Sequence, residues 1–89
     1  MNDELLKELK DISILCVEDE DGIREMVVST LKYYFNEVYE ACDGNEGYEL
    51  YEYYKPKIVL SDIQMKGCNG LELVKKIRQT DSETMIIML

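Results

Sequence analysis

The sequence predicts an α/β fold in which a parallel sheet is flanked by helices. Two short apolar runs, at residues 12–17 and 57–61, are typical of buried strands. Segments with apolar residues at three- and four-residue intervals are typical of amphipathic helices, and they alternate with the predicted strands. This alternation favours right-handed crossovers between parallel strands. We therefore predict the order βαβαβαβ in one small domain, since 89 residues bury only a thin core.

A short helix is predicted before the first strand. Residues 2–10 place three leucines on one helical face. We therefore expect residues 1–11 to be an N-terminal extension and residues 12–89 to be the domain itself.

The helix after the first strand carries a long apolar stripe. Asp21 is its predicted N-cap, because a short acidic side chain accepts hydrogen bonds from the first free N–H groups. A second strand is predicted at 37–41, and Asp43-Gly44 ends it. The predicted core face of the helix consists of Ile23, Met26, Val27, Thr30, Leu31 and Tyr34.

The second half of the sequence repeats the pattern. A helix is predicted from about 45 to 54 and a strand at 57–61. Asn69 and Glu72 have the spacing of a capping box at the start of a third helix. A fourth strand is predicted at 84–89. The predicted core face of the third helix consists of Leu71, Val74 and Ile77.

The composition excludes several classes of function. The chain has 19 acidic and 10 basic residues and a net charge of −9. Nucleic acid affinity comes from cations that neutralise phosphates, so we expect no direct nucleic acid binding. No apolar stretch is long enough for a signal peptide or a membrane span, so we expect no membrane association. Three separated cysteines and no histidine argue against zinc and favour reduced thiols in the cytoplasm.

Three acidic positions indicate the chemistry of the domain. Glu18 and Asp19 follow the first strand, and Asp62 ends the third. The carboxyl ends of parallel strands meet at one edge of a sheet, where open α/β sheets bind their ligands. Two carboxylates about 5 Å apart repel by about 3 kcal/mol at an effective dielectric of ~20, and a hard divalent cation removes that repulsion. The sequence predicts a metal-assisted phosphoryl site, with a turn cap and a solvated helix start as the simpler alternatives.

The residues around these acids resemble a known family. The segments 14–20 and 56–65 carry the acidic pair and the single Asp, and residues 65–70 form a Met-x-Gly-x-Asn-Gly turn. This combination resembles the receiver domain of bacterial two-component response regulators, from about residue 12 to residue 89. The resemblance implies a flavodoxin-like parallel sheet flanked by helices, in an incomplete (βα)3β form of the five-stranded receiver fold.

The resemblance also implies a role for each site residue. Asp62 would be the phosphoacceptor and a metal ligand, and Glu18 and Asp19 would hold Mg²⁺ directly or through water. The backbone carbonyl of Gln64 would be a further ligand. The phosphoryl donor would be a sensor histidine kinase or a phosphotransfer protein. We do not expect an enzyme, because a phosphatase with an Asp nucleophile would carry a second Asp at position 64.

The sequence departs from the family at two places. Lys66 stands where the family usually has proline. After the fourth strand the family continues with a Ser or Thr, a fifth strand that closes with Lys and a last helix, and we expect this chain to lack that C-terminal third. Residues 84–89 would then form an exposed apolar edge through which the chain self-associates. The alternative function is therefore a degenerate or truncated receiver that acts as an interaction module without phosphorylation.

Overall fold

The computed structural model describes residues 3–65 and 69–89. Within these residues helices and strands alternate, as the sequence predicts. The elements are α1 (Asp3–Lys10), β1 (Ser13–Val17), α2 (Asp21–Tyr34), β2 (Glu37–Ala41), α3 (Gly44–Tyr54), β3 (Ile58–Ser61), α4 (Gly70–Arg78) and β4 (Met85–Met88).

The four strands form one parallel sheet in the order β2-β1-β3-β4. The predicted α/β class and parallel sheet are confirmed. In this register Val17 at the end of β1 lies opposite Ala41 on β2 and Ser61 on β3. The three strands therefore end at the same level, and the residues that follow them meet at one edge.

The main core lies between the sheet and helices α3 and α4. Aliphatic side chains from the central strands pack there against fully buried residues of the two helices. On the opposite face, α2 covers β1 and β2 and buries Val28. Cys16 is also buried, and burial raises the pKa of its thiol to about 11, so the thiol is neutral. The residues of the main core are Leu15, Val17, Ala41, Tyr51, Val59, Leu73 and Ile77.

Helix α2 differs from its prediction at the N-cap and along its buried face. Asp21 is the first helical residue, and Glu20 occupies the N-cap position without a side-chain bond. The Asp21 carboxylate is instead paired with Arg24. Met26 is 65 % exposed, whereas Val28 is buried. The prediction was wrong here because α2 packs mainly on β1 and β2, which turns Met26 away from the sheet.

Helix α4 begins as predicted but buries a different face. The Asn69 side chain accepts a hydrogen bond from the backbone N–H of Glu72 at 2.9 Å, as in the predicted capping box. Leu71, predicted to lie in the core, is 54 % exposed, and Leu73 is fully buried in its place. The first residue, Gly70, is buried next to Asp62, Ile63 and Met88, and the buried face of the helix runs through positions 70, 73 and 77.

Helix α1 lies at the surface and contacts α2. None of its residues is buried, and the placement of residues 1–11 outside the main domain stays a prediction. Among the residues that the structure describes, no helix has the length and apolar character that crossing a bilayer requires.

Candidate functional site

The three acidic residues singled out from the sequence meet at the carboxyl edge of the sheet. Glu18, Asp19 and Asp62 each place one carboxylate oxygen within 4.8 Å of the others. The first two follow β1 and the third follows the neighbouring strand β3. All three are partly exposed, so the oxygens lie in an open acidic cluster that a solute can reach.

The sheet holds the backbone of this acidic cluster beyond the ends of the strands. The N–H of Glu18 donates to the carbonyl of Ala41 at 3.1 Å, and the N–H of Asp62 donates to the carbonyl of Val17 at 3.1 Å. The ladder therefore continues by one residue on each side of β1. The backbone at Glu18 and Asp62 is therefore fixed by the sheet. The positions of these two carboxylates then depend only on the rotation of their side chains.

The Glu18 carboxylate is tied to its own loop. Its Oε2 accepts a hydrogen bond from the N–H of Glu20 at 3.0 Å. Burial raises the pKa of the Glu18 carboxyl, the bond from Glu20 opposes the rise, and the nearby Asp19 and Asp62 carboxylates add to it. The cluster is thus short of positive charge, and a bound cation would favour its ionised form.

The loop after Asp62 is packed tightly against the start of α4. Gly70 donates its N–H to the carbonyl of Ile63 at 2.8 Å. A Cβ atom built on Gly70 would overlap the carbonyl oxygen of Asp62 and lie 2.9 Å from the Cα atom of Ile63. The hydroxyl of Ser61 donates to the same Asp62 carbonyl at 2.9 Å. Asp62 is therefore held from β3 on one side and from α4 on the other.

Arg24 is a residue of the site that the sequence reasoning missed. Its Nη1 donates to the carbonyl oxygen of Glu18 at 2.9 Å, and its Nη2 donates to Asp21 Oδ1 at 2.6 Å. Its Nε lies 3.4 Å from Glu40 Oε1 on β2. The spacing of Asp21 and Arg24 on one helix could have indicated their ion pair. Nothing in the sequence indicated the bond to Glu18, because that bond depends on how the loop folds back.

Two further residues were singled out from the sequence, Gln64 and Lys66. Gln64 is exposed two residues after Asp62, and the role of its carbonyl as a ligand stays a prediction. Lys66, like the rest of 66–68 within the Met-x-Gly-x-Asn-Gly turn, lies outside the described residues.

The cluster suits a hard divalent cation. It offers oxygen ligands alone, which Mg²⁺ and Ca²⁺ prefer. Octahedral Mg²⁺ with bonds of about 2.0–2.1 Å places its ligand atoms about 3 to 4 Å apart. The carboxylate oxygens lie within 4.8 Å of one another, so small side-chain rotations bring them to the ion, or a water on the ion reaches them. The site can therefore hold a metal ion.

Comparison with curated proteins shows relatives among transcriptional regulators. The chain is 30% identical over 76 residues to transcriptional regulatory protein AfsQ1 of Streptomyces coelicolor, covering 85% of this chain and 34% of that protein. It is 36% identical over 76 residues to the transcriptional regulatory protein YkoG of Bacillus subtilis, covering 85% of this chain and 33% of that protein. The chain thus spans about a third of the length of these relatives.

Comparison with solved structures shows the same fold. The N-terminal domain of a Wolinella succinogenes protein superposes with a TM-score of 0.84 at 32% identity, covering 88% of this chain and 63% of that one. Chemotaxis protein CheY4 of Vibrio cholerae superposes with a TM-score of 0.80 at 33% identity, covering 86% of this chain and 66% of that one. The sequence profile of the response regulator receiver domain matches residues 14–89. The chain therefore belongs to the receiver domain family of two-component response regulators.

Proposed function

We propose that this domain accepts a phosphoryl group on Asp62 from the phosphohistidine of a sensor histidine kinase or phosphotransfer protein. The observation that carries the proposal is the meeting of the Glu18, Asp19 and Asp62 carboxylates within 4.8 Å at the carboxyl edge of a receiver fold. Ligands of open α/β sheets bind at this edge. Asp62 directly follows β3, and the resemblance to receiver domains implies that the Asp at this position is the nucleophile.

The proposed step is an in-line phosphoryl transfer. A carboxylate oxygen of Asp62 forms a bond to phosphorus while the bond from phosphorus to the histidine nitrogen breaks, and the imidazole keeps that electron pair. With a small acyl phosphate the bond that breaks is the phosphorus–oxygen bond, and a carboxylate leaves. The product in both cases is an aspartyl phosphate. The domain is changed by the transfer, so we expect a phosphoacceptor and not an enzyme that turns over freely.

Glu18 and Asp19 are the proposed ligands of Mg²⁺ in this reaction, together with Asp62 and the carbonyl of Gln64. Bound Mg²⁺ would neutralise charge on the transferring phosphoryl oxygens. The residues present fit that ion because they supply oxygen atoms only and carry an excess of negative charge. The N–H of Glu20 donates to Oε2 of Glu18 and so orients that carboxylate within its loop.

Native mass spectrometry tests the proposal. The chain is incubated with Mg²⁺ and acetyl phosphate, and we expect the mass of one phosphoryl group to be added. Asp62→Asn removes the nucleophile and should abolish the addition. Asp11→Asn, in the exposed turn after α1, removes a carboxylate distant from the site and should leave it unchanged. Equal labelling of wild type and Asp62→Asn, or no labelling of a folded wild type, contradicts the proposal.

A second candidate function is self-association through β4. This strand pairs with β3, and in the described part of the chain no strand pairs with its other side. Met85 and Ile87 are exposed on it, and so is Leu89, which directly follows it. The strand has no charged side chain in a chain of net charge −9, so its own side chains do not oppose the approach of a second copy. We propose that a second copy of the chain covers this edge.

A further inference from the structure

We propose that Arg24 is a positioning residue of the metal site, and this inference rests on the proposed function. Arg24 lies on α2. It cannot bind the metal itself, because a guanidinium is a cation and has no lone pair to donate. It acts on the backbone that connects two ligands. The Arg24 side chain is 16% exposed, and its bond to the Glu18 carbonyl is partly buried.

The key contact is between Arg24 Nη1 and the carbonyl oxygen of Glu18, at 2.9 Å. This carbonyl and the N–H of Asp19 belong to one planar peptide unit. A bond that fixes the carbonyl therefore fixes the plane from which the Asp19 side chain starts. The N–H of Glu18 is already bound to β2 through Ala41. The two peptide units that flank Glu18 are thus held from two directions, one by the sheet and one by Arg24.

The guanidinium itself is anchored on two elements. Its Nη2 is 2.6 Å from Asp21 Oδ1 at the start of α2, and its Nε is 3.4 Å from Glu40 Oε1 on β2. Each of the three guanidinium nitrogens thus faces an acceptor on a different segment of the chain. The planar guanidinium of arginine can contact all three acceptors at once, whereas the single ammonium of lysine cannot. Arg24 therefore ties the acidic loop both to the helix that follows it and to the neighbouring strand.

Because Arg24 is positively charged, the direction of the change in Mg²⁺ affinity tests the proposal. A cation beside a cluster of carboxylates repels a second cation, so loss of its charge alone would strengthen Mg²⁺ binding. Loss of its bond to Glu18 frees the peptide between two ligands and weakens Mg²⁺ binding. Removal of groups that orient metal ligands lowers metal affinity about 10- to 100-fold. The positioning role and the simple field effect thus predict changes in opposite directions.

The experiment is a titration with MgCl2 alone, followed by NMR of backbone amides in the 89-residue chain. The variant Arg24→Gln removes both the charge and the planar guanidinium. The variant Arg24→Lys keeps the charge and removes the guanidinium. Lys32→Gln is the matched control, because it removes a positive charge from the exposed last turn of the same helix. The carbonyl carbon shift of Glu18 reports on the bond to Arg24 without any metal.

We expect Arg24→Gln and Arg24→Lys to weaken Mg²⁺ binding about tenfold, and Lys32→Gln to leave it unchanged or slightly stronger. The Glu18 carbonyl shift should move in both Arg24 variants before Mg²⁺ is added. Thermal melts of each variant separate this effect from unfolding, since a purely structural role lowers the melting temperature but leaves the affinity of the folded protein unchanged.

Equal or tighter Mg²⁺ binding by folded Arg24→Gln, or wild-type affinity in Arg24→Lys, overturns the positioning role. Failure of the wild type to bind Mg²⁺ at all refutes the metal part of the proposed function instead. In that case the Glu18 carbonyl shift in the metal-free Arg24 variants tests whether Arg24 holds the loop. A shift equal to that of the wild type would reject this role too.

Discussion

At the scale of single residues, Gly70 decides where Asp62 can lie. The glycine contacts the Asp62 carbonyl so closely that a methyl group at position 70 would overlap it, and the same methyl group would be 2.7 Å from Met88 Cε. The Asp62 carbonyl and the nearby Cα atom of Ile63 belong to the backbone, which cannot rotate away as a long side chain can. Gly70 is therefore required by close approach of helix α4 to the site.

We predict that Gly70→Ala destabilises the domain by about 1–3 kcal/mol, as overpacked sites do. It should also shift the amide resonances of Asp62 and Ile63, whose backbone atoms the methyl group would contact. Urea unfolding and an amide correlation spectrum measure the two effects.

Gly22→Ala is the matched control for this substitution. Gly22 lies in the first turn of α2, and a Cβ atom there meets nothing within 4 Å. Alanine in a helix is more favourable than glycine by about 0.5–1 kcal/mol, so this variant should gain stability. If Gly70→Ala behaved like Gly22→Ala, the close packing of α4 against Asp62 would be disproved.

The residues of the candidate site were only partly predictable. Glu18, Asp19 and Asp62 could be selected from the sequence because each follows a short apolar run, and parallel strands bring such positions to one edge. Arg24 and Gly70 could not. Their roles depend on a loop that folds back and on a helix that approaches a carbonyl, and neither distance is encoded in local spacing.

At the scale of elements, α4 shows how an apolar pattern can fit two helical faces. Leu71, Leu73, Val74 and Ile77 all lie within two turns, so the sequence allows either leucine to be the core residue. The contact of Gly70 with the sheet selects the face with Leu73. The existence of the helix was predictable, whereas its rotation was not, because rotation is set by tertiary contact.

The two leucines of α4 provide a direct test. Leu73 is fully buried, so Leu73→Ala should lower the free energy of unfolding by about 2–5 kcal/mol through lost burial and a cavity. Leu71 is more than half exposed, and Leu71→Ala should change stability by less than about 0.5 kcal/mol. Chemical unfolding of both variants measures the difference. Equal losses would mean that α4 is rotated relative to this description.

The turn before β4 is organised by a single carboxylate. Asp81 Oδ2 accepts from the hydroxyls of Tyr51, at 2.5 Å, and of Thr84, while Oδ1 accepts from the N–H groups of Glu83 and Thr84. These bonds, those from Thr84 and Tyr51 first, hold the pKa of Asp81 well below its usual range. Burial and the bond to Asp81 raise the pKa of Tyr51 to about 12. The network joins α3, α4 and β4.

We predict that this network makes stability depend on pH. The folded pKa of Asp81 is depressed, so its contribution is fully present above the unfolded pKa of about 3.9 and is lost as the pH falls below that value. Asp81→Asn should therefore melt at a lower temperature than the wild type near neutral pH, and the gap should narrow below about pH 4. Thermal melts across this range measure it, with Asp11→Asn as the control. A gap that does not change with pH would contradict the prediction.

At the scale of the whole molecule, the helices cover the sheet unevenly. Helices α3 and α4 enclose the main core on one face, while α2 lies mainly over β1 and β2 on the other. Among residues 3–65 and 69–89, strand β4 pairs with β3 alone, and its exposed side chains are apolar. The overall topology was predictable because strict alternation of strand and helix leaves few arrangements. How far the helices cover each strand could not be predicted in this way.

We predict that the 89-residue chain forms dimers at micromolar concentration, because β4 has no charged side chain and no strand of the described residues pairs with its outer side. Met85→Lys should restore the monomer, since Met85 is 57 % exposed and a charge on an edge strand opposes pairing. Sedimentation velocity measures the two states. The control is Lys32→Gln on α2, which should leave the association unchanged. A wild type that sediments as a monomer would disprove the self-association proposal.

Helix α4 connects the two ends of the domain. Its first residue, Gly70, contacts the Asp62 carbonyl, and its last, Arg78, donates from Nη1 to the carbonyl of Asp81 at 3.1 Å. The nine residues between and including them form a rod about 13 Å long. The chain returns to the site at the end of β4, where the carbonyl of Leu89 accepts a hydrogen bond from the N–H of Ile63 at 3.4 Å. The backbone around Asp62, the proposed phosphoacceptor, is thus in contact with both α4 and the end of β4, and α4 runs from there to the turn at Asp81.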